Sequence, residues 1–248
     1  MTPARGRVIA LHSDGPAHNM SLDQAMLEQV DAGGVPTLRW YQWDRPTLSL
    51  GYFQALADRQ KHPQSLAVAC VRRASGGGAI LHHHELTYSI AWPSKSALGG
   101  SPELYCQVHQ AFAAVLRSHG LSATPFVNTA RPAPAGQPFL CFQRRSEHDL
   151  IANGYKVLGS AQRRGKRAVL QHGSLLLRSS PWAPQLPGVF DLGGSPLPVE
   201  QLAVEVTAAI ARKLALQWQS GTWSQQERQR SEQIVQKRFA AKNWLRRR

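Results

Sequence analysis

The stretch RRASGGGAILHHHELTYSI, Arg72–Ile90, is where the fold class can be read. A strand-like run, Leu66–Arg72, leads into it and another, Leu86–Trp92, leads out, with a glycine triplet and no helical periodicity between them. The same grouping recurs along the chain. Thr37–Trp43 and Thr47–Gly51 read as strands joined through the turn Asp44-Arg45-Pro46. Asp149–Ala152 and Lys156–Ala161 read as a hairpin about Asn153-Gly154, a favoured two-residue turn. Arg7–Leu11 and Val169–Leu177 complete the strands.

Helices are interspersed. The first is expected to be capped by Ser21 with Gln24 three positions on, to place Leu22, Met26 and Val30 on one face, and to stop at Gly33-Gly34. Pro102–His119 carries Leu104, Val108, Phe112 and Val115 on one stripe and ends at Gly120. Glu200–Leu216 and the polar run Ser224–Trp244 are also helical in pattern. Strands grouped in neighbouring pairs, mixed with helices, point to an α+β fold: mixed, largely antiparallel sheets flanked by helices rather than a doubly wound sheet. A single domain over residues 1–248 is expected, with a basic helix at 224–248 that holds eight Lys/Arg against two Asp/Glu. Ser122–Pro138, with four prolines, has the character of a functional lid loop, and Ser180–Val199, with five, is irregular.

Composition narrows the classes. Of 248 residues, 42% are hydrophobic and only 18% charged, which supplies a core and excludes a disordered chain. The net charge of +14 speaks for a partner of opposite sign: nucleic acid, anionic membrane or acidic protein. Three scattered cysteines, Cys70, Cys106 and Cys141, are no disulfide framework and suit a reducing compartment. The apolar run Val8–Leu11 is too short for the core of a signal peptide, and no stretch approaches a membrane span. A cytoplasmic protein is expected.

Chemistry gathers in two places. Gly76-Gly77-Gly78 lets backbone approach a ligand and frees N–H groups, with Arg72, Arg73 and Ser75 adding charge and a hydroxyl. A tight hairpin would read the same way, and the Gly-Lys-Ser/Thr ending of a phosphate loop is missing. His82-His83-His84 cannot converge on one metal from a strand, so surface or loop positions are expected for them and no metal site. The second place runs from Cys141 to His172. Arg144 and Arg145 beside Cys141 would favour a thiolate, although Cys70 also precedes two arginines; nucleophile and buried structural cysteine both remain open for Cys141. Cys106, on a helix stripe, reads as structural. Lys156, before the small residues Gly159-Ser160-Ala161, either reaches into a cleft or is solvated, and His172 is either a base or a scaffold histidine.

The order and spacing of SLDQAMLEQV, RRASGGGAILHHHELTYSI, CFQRRSEHDLIANGYKVLGSAQRRGKRAVLQHGSLLL and WSQQERQRSEQIVQKRFAAKNWLRRR resemble the lipoate-protein ligase and octanoyltransferase family, related in fold to biotin-protein ligases. The resemblance runs from about Asn19 to Trp244. It implies an acyl pocket built from Arg72, Arg73, Ser75, Gly76, Gly77, Gly78, Ala79, His82, Gly159, Ser160, Ala161, Gln162, His172 and Gly173, with Lys156 on the acyl carbonyl. Ile80-Leu81 and Val157-Leu158 would line the slot for the acyl tail.

Two branches are distinguished by one residue. Cys141-Phe142, HELTYS and LQHGS resemble the LipM-type octanoyltransferases, which carry octanoate on a cysteine. That branch implies Cys141 and Lys156 as catalytic residues and no cofactor. Its partners would be octanoyl-acyl carrier protein as donor and, as acceptors, lipoyl domains of 2-oxoacid dehydrogenases or glycine cleavage H protein. Gly76-Gly77-Gly78, where transferases usually read Gly-Gly-Arg, is closer to the ligases, which use ATP and Mg; a lipoate-protein ligase without its accessory domain is the alternative. A basic nucleic-acid-binding protein, with Trp40 and Trp43 stacking on bases, is the alternative of another class. The expectation is a monomeric acyltransferase with no nucleic-acid or membrane partner.

Overall fold

The computed structural model describes residues 4–94, 102–127 and 138–248. In chain order its elements are β1 (Ala4–Asp14), α1 (Pro16–Asp31), β2 (Thr37–Trp43), β3 (Thr47–Leu50), β4 (Ala69–Arg72), β5 (Ile80–His82), β6 (Glu85–Pro93), α2 (Pro102–Ser118), β7 (Thr124–Pro125), β8 (Leu150–Ala152), β9 (Tyr155–Arg164), β10 (Ala168–Leu176), α3 (Val199–Leu214), β11 (Leu216–Gly221), α4 (Gln225–Ile234) and α5 (Lys242–Leu245). Eight strands form one sheet in the order β11-β1-β2-β6-β10-β9-β8-β7, and β4-β3-β5 form a second. Among the named strands of the described residues, β1–β11, β1–β2 and β3–β4 pair in parallel and the other pairs are antiparallel, as the grouping of strands in the sequence implies.

Side-chain alternation across β2, β6 and β10 decides where the core lies and where the site lies. Leu38 and Trp40 of β2, Leu86, Tyr88 and Ile90 of β6, and Val169 and Leu175 of β10 enter one apolar core with α2 and α3. The alternate residues Arg39, Tyr41, Glu85, Thr87, Ser89, His172 and Ser174 belong to the opposite face. They are polar, and they too are buried. Helix α1 covers them. Its Asn19 and Asp23, four residues apart and so on one face, both bind the Arg39 guanidinium. The large sheet thus has one oily face and, under α1, a face where this buried polar cluster stands beside a smaller apolar one of Met26, Leu27, Val30, Ala91, Ala168 and Leu170.

Several local expectations change. α1 starts at Pro16 behind Gly15, where proline's fixed φ suits a first helical position, and not at Ser21. Ser21 lies inside the helix, buried, with its hydroxyl on His18 O at 2.9 Å and Ser231 Oγ at 2.6 Å. The true capping box is Ser224 with Glu227, at α4. The expected helix 224–244 is interrupted by a π-helical turn, Val235–Phe239, before α5. α3 ends at Ala215, in the left-handed region at φ 49°, which releases Leu216 into β11, an edge strand the periodicity did not reveal. The turn at 44–46 does not close a hairpin: it carries the chain from β2 in one sheet to β3 in the other. A 3-10 turn, Pro63–Ala67, takes the front of the expected strand 66–72. Of the expected lid, Thr124–Pro125 pairs with β8, and residues 128–137 lie outside the described residues.

The second sheet is pressed against the glycine loop. A Cβ on Gly51 would fall 2.0 Å from Gly77 O, a backbone atom that cannot step aside. Gly51→Ala is therefore expected to cost about 1–3 kcal/mol, lowering Tm by roughly 2–12 °C in thermal unfolding.

Candidate active site

A narrow cleft of about 90 Å³ opens between the glycine loop and strands β9 and β10. Cys141, Lys156, Arg73, Gly76, Gly77, His82, Gly159, Ser160, Ala161, His172 and Gly173 all line it, together with Met20, Trp43, Ile80 and Phe142 as its apolar walls. Two motifs far apart in sequence are therefore brought to one place. The tail slot expected from Leu81, Val157 and Leu158 is corrected: Leu81 packs in the core of the small sheet, and Val157 and Leu158 in the main core. A wider apolar groove of about 880 Å³ beside α3, β1 and β11 holds none of the residues above.

Cys141 is joined directly to the glycine loop. Its N–H donates to Ala79 O at 2.7 Å, and Ala79 N–H donates to Phe139 O at 3.1 Å. A Cβ on Gly78 would stand 3.0 Å from both Cys141 Cα and Cys141 N, so this close approach favours glycine there. Gly78 and Ala79 thus position the cysteine from behind rather than line the cleft.

The cation on the Cys141 sulfur is Lys156, with Nζ 3.8 Å from Sγ. Lys156 is buried and paired with the equally buried Asp149 at 2.7 Å. Asp149 is held in turn by Tyr105 OH at 3.0 Å and Ser146 N–H at 2.7 Å. Burial, and then the Asp149 charge, push the Tyr105 phenol far up, so it stays a donor. Of the arginines expected beside Cys141, Arg144 donates to Pro138 O and Arg145 to Gly154 O. Cys70 has its thiol pushed up by burial, and Cys106 Sγ accepts from Gln110 at 3.1 Å.

Arg73 is fully buried and supports the loop. It donates to Ser49 O at 2.7 Å, Gly76 O at 3.0 Å and Gly78 O at 2.9 Å, and its Nε–H has no partner among the described residues. Burial lowers it only to about 10, so it remains a cation beside the cleft. Arg72 turns away. It clamps Leu245 O at 2.8 Å, Gly51 O at 3.0 Å and Gln54 O at 2.6 Å, and so fastens α5 and the 51–54 turn behind the loop.

His82 is not the surface histidine expected. It is buried, stacked on Trp43 at 3.9 Å, and bonded to Ser49 Oγ at 2.6 Å and Glu85 at 2.5 Å. His83 and His84 stack on one another at 3.6 Å. Among the described residues, no three His, Cys, Asp or Glu side chains are placed to hold a metal.

Ser160 is pinned rather than free. His109, pushed down to about 3 by burial, gives its Nδ1–H to His148 O at 2.8 Å, so Nε2 accepts from Ser160 Oγ at 2.7 Å. Gln162 lies beyond the cleft on Gln171 at 2.8 Å. Ser75 and His172 meet at 2.6 Å, and His172 reaches Asp23 at 3.0 Å. Asp23, Arg39, Asp149, Tyr105 and His109 carry the site's electrostatics; Asp23 and Asp149 stand within the quoted stretches SLDQAMLEQV and CFQRRSEHDL, but no role was read for any of the five.

The lipoyl protein ligase A/B catalytic domain family matches residues 15–184. Octanoyltransferase LipM of Kyrpidia tusciae is 31% identical over 274 aligned positions, spanning 96% of this chain and 97% of that one. A bi-partite lipoate protein ligase from Thermoplasma acidophilum has a TM-score of 0.79 at 19% identity, over 97% of this chain and 96% of that one. A lipoate-protein ligase A solved with ATP bound gives 0.80 at 20% identity, over 97% and 98%. At these identities the two solved structures speak for the fold alone.

Proposed function

The chain belongs to the lipoyl protein ligase A/B catalytic domain family, and we propose from that premise that it is an octanoyltransferase of protein lipoylation, working through a Cys141 thioester. One observation carries the choice of residue: Cys141 Sγ faces Lys156 Nζ at 3.8 Å in the cleft. An ammonium at that distance is placed to orient the sulfur and to stabilise the negative charge that develops there as the acyl group moves on and off it. The donor in this reading is octanoyl-acyl carrier protein, and the acceptor is a lysine of a lipoyl domain. The enzyme acts as a monomer.

In the first step the Cys141 thiolate attacks the octanoyl thioester carbon. The new C–S bond forms, the carrier's C–S bond breaks, and the carrier leaves as its thiolate. In the second step the acceptor's ε-amine attacks the Cys141 thioester, an amide forms, and the electron pair of the broken C–S bond returns to sulfur. Splitting the transfer through a covalent intermediate replaces one hard step by two easier ones. Each step passes through a tetrahedral oxyanion. Lys156, fixed by Asp149 at 2.7 Å, needs no reorganisation to stabilise charge there. Met20, Trp43, Ile80 and Phe142 give the octanoyl tail its apolar walls.

An octanoyl donor arrives already activated, so the reaction needs no ATP. Incubation with octanoyl-acyl carrier protein in the absence of ATP is expected to add one octanoyl group on the peptide containing Cys141, and a lipoyl domain then removes it. Transfer that requires free acid and ATP, with no adduct on Cys141, would favour the ligase chemistry instead.

A further inference from the structure

A second polar array reaches the cleft through His172, and the thioester steps leave it unused. His172 sits on β10, opposite Ala161 of β9 and Ser89 of β6. Its ring lines the cleft, while its two nitrogens are both engaged: Nδ1 on Asp23 Oδ2 at 3.0 Å and Nε2 on Ser75 Oγ at 2.6 Å. Ser75 is the residue immediately before Gly76, which lines the cleft, and only 3% of its surface is exposed.

The direction of these bonds follows from Asp23. It accepts from Arg39 at 2.8 Å, Ser89 Oγ at 2.6 Å and Tyr41 OH at 3.2 Å. Burial alone would raise its carboxyl, but the His172 hydrogen bond and the Arg39 guanidinium hold it below the usual carboxylate range. An ionised Asp23 can only accept, so Nδ1 of His172 carries the hydrogen and Nε2 accepts from the Ser75 hydroxyl. The charged and titratable groups facing His172 are thus Asp23 from α1, Arg39 and Tyr41 of β2 through Asp23, and His82 from β5. This is the bonding order by which a hydroxyl passes a proton to an imidazole that a buried carboxylate keeps in one tautomer.

Resting on the transferase reading, we propose that Ser75, His172 and Asp23 form the proton relay of the second step, accepting the proton that the acceptor lysine must lose. The acceptor's ε-ammonium gives a proton to Ser75 Oγ while the Ser75 hydroxyl proton moves to His172 Nε2, and the neutral ε-amine so formed attacks the Cys141 thioester carbon, forming the C–N bond and passing its second proton to the departing sulfur. The C–S bond breaks with its electron pair on Cys141 Sγ, beside Lys156. The imidazolium, stabilised by Asp23, then releases its proton to water. The two steps therefore use separate machinery: Lys156 and Asp149 serve the sulfur, and His172 and Asp23 serve the amine. Asp23 and Arg39 are positioning residues in this scheme, since neither touches the reacting atoms.

The test compares two nucleophiles on preformed acyl-Cys141. Lysine, on a lipoyl domain, needs a base; hydroxylamine, neutral near pH 7, does not. In His172→Gln, which keeps a donor for Asp23, discharge to lysine is expected to fall about 10²-fold relative to discharge to hydroxylamine, so that the acyl-enzyme accumulates. Ser75→Ala, which leaves the His172–Asp23 pair in place, is expected to do the same. Equal losses for both nucleophiles, or no loss for lysine, overturn the relay and leave the thioester reading standing. Failure of the native protein to form acyl-Cys141 overturns both.

Discussion

Cys141→Ala is expected to lower octanoyl transfer to a lipoyl domain by a factor on the order of 10⁴ or more, and Lys156→Met to lower acyl-enzyme formation by about 10²–10³. The first loss removes the group that carries the acyl chain. The second removes a charge that is already in place: Lys156 is held at 2.7 Å by Asp149, which Tyr105 and Ser146 hold in turn. Such a preorganised cation stabilises developing negative charge more than a mobile one, because it does not have to move during the reaction. Gly159 supplies an independent check. A Cβ there would fall 2.3 Å from Lys156 Cε and 2.7 Å from Nζ, so Gly159→Ala must push the ammonium aside while leaving the lysine in the sequence. Rapid-quench measurement of acyl-Cys141 should show Gly159→Ala slowed in the same step as Lys156→Met. Full rates in Lys156→Met would remove Lys156 from the mechanism.

How much of this was legible in the sequence depends on the range of the contact. Gly76-Gly77-Gly78, Cys141 and Lys156 stand in short motifs with local turn chemistry, and Asn153-Gly154 fixes the hairpin that carries Lys156 with φ values of 47° and 82°. What the motifs could not show is how their residues are held. Arg72 and Arg73 are neighbours in one motif, yet as successive residues they take opposite directions, Arg73 into the loop's carbonyls and Arg72 onto α5. The alternation of β6, Glu85-Leu86-Thr87-Tyr88-Ser89-Ile90, reads as a half-solvated strand, but α1 covers the polar side and buries it. Asp23 pairs with a residue 149 positions away, and no local pattern encodes such a partner. Likewise β11 is a strand because β1 offers it an edge to pair with, while the expected helix took in only its first residue, Leu216, and nothing local marked the rest as a strand. Tertiary pairing outweighed local preference in both cases.

The buried polar face makes a second large prediction, on stability. Arg39 and Asp23 form an ion pair at 2.8 Å with side chains 0% and 3% exposed. Removing one partner of such a pair leaves a buried charge without compensation, so Arg39→Met is expected to cost about 3–5 kcal/mol and to lower Tm by roughly 6–20 °C. Removing both charges is a different experiment. Arg39→Met with Asp23→Leu takes away the desolvation penalty together with the attraction, and the double variant should recover much of the loss. Acid makes the distinction sharper. Asp23 is held below its ordinary value in the folded chain, so its contribution is intact above about pH 4 and is lost as pH falls through the folded value. The native protein should therefore show a component of acid destabilisation below about pH 4 that the double variant lacks. If the double variant is stable yet discharges acyl-Cys141 slowly to lysine and normally to hydroxylamine, the buried charges are kept for the proton they help to move and not for the fold they sit in. A double variant as unstable as Arg39→Met would assign them to the fold.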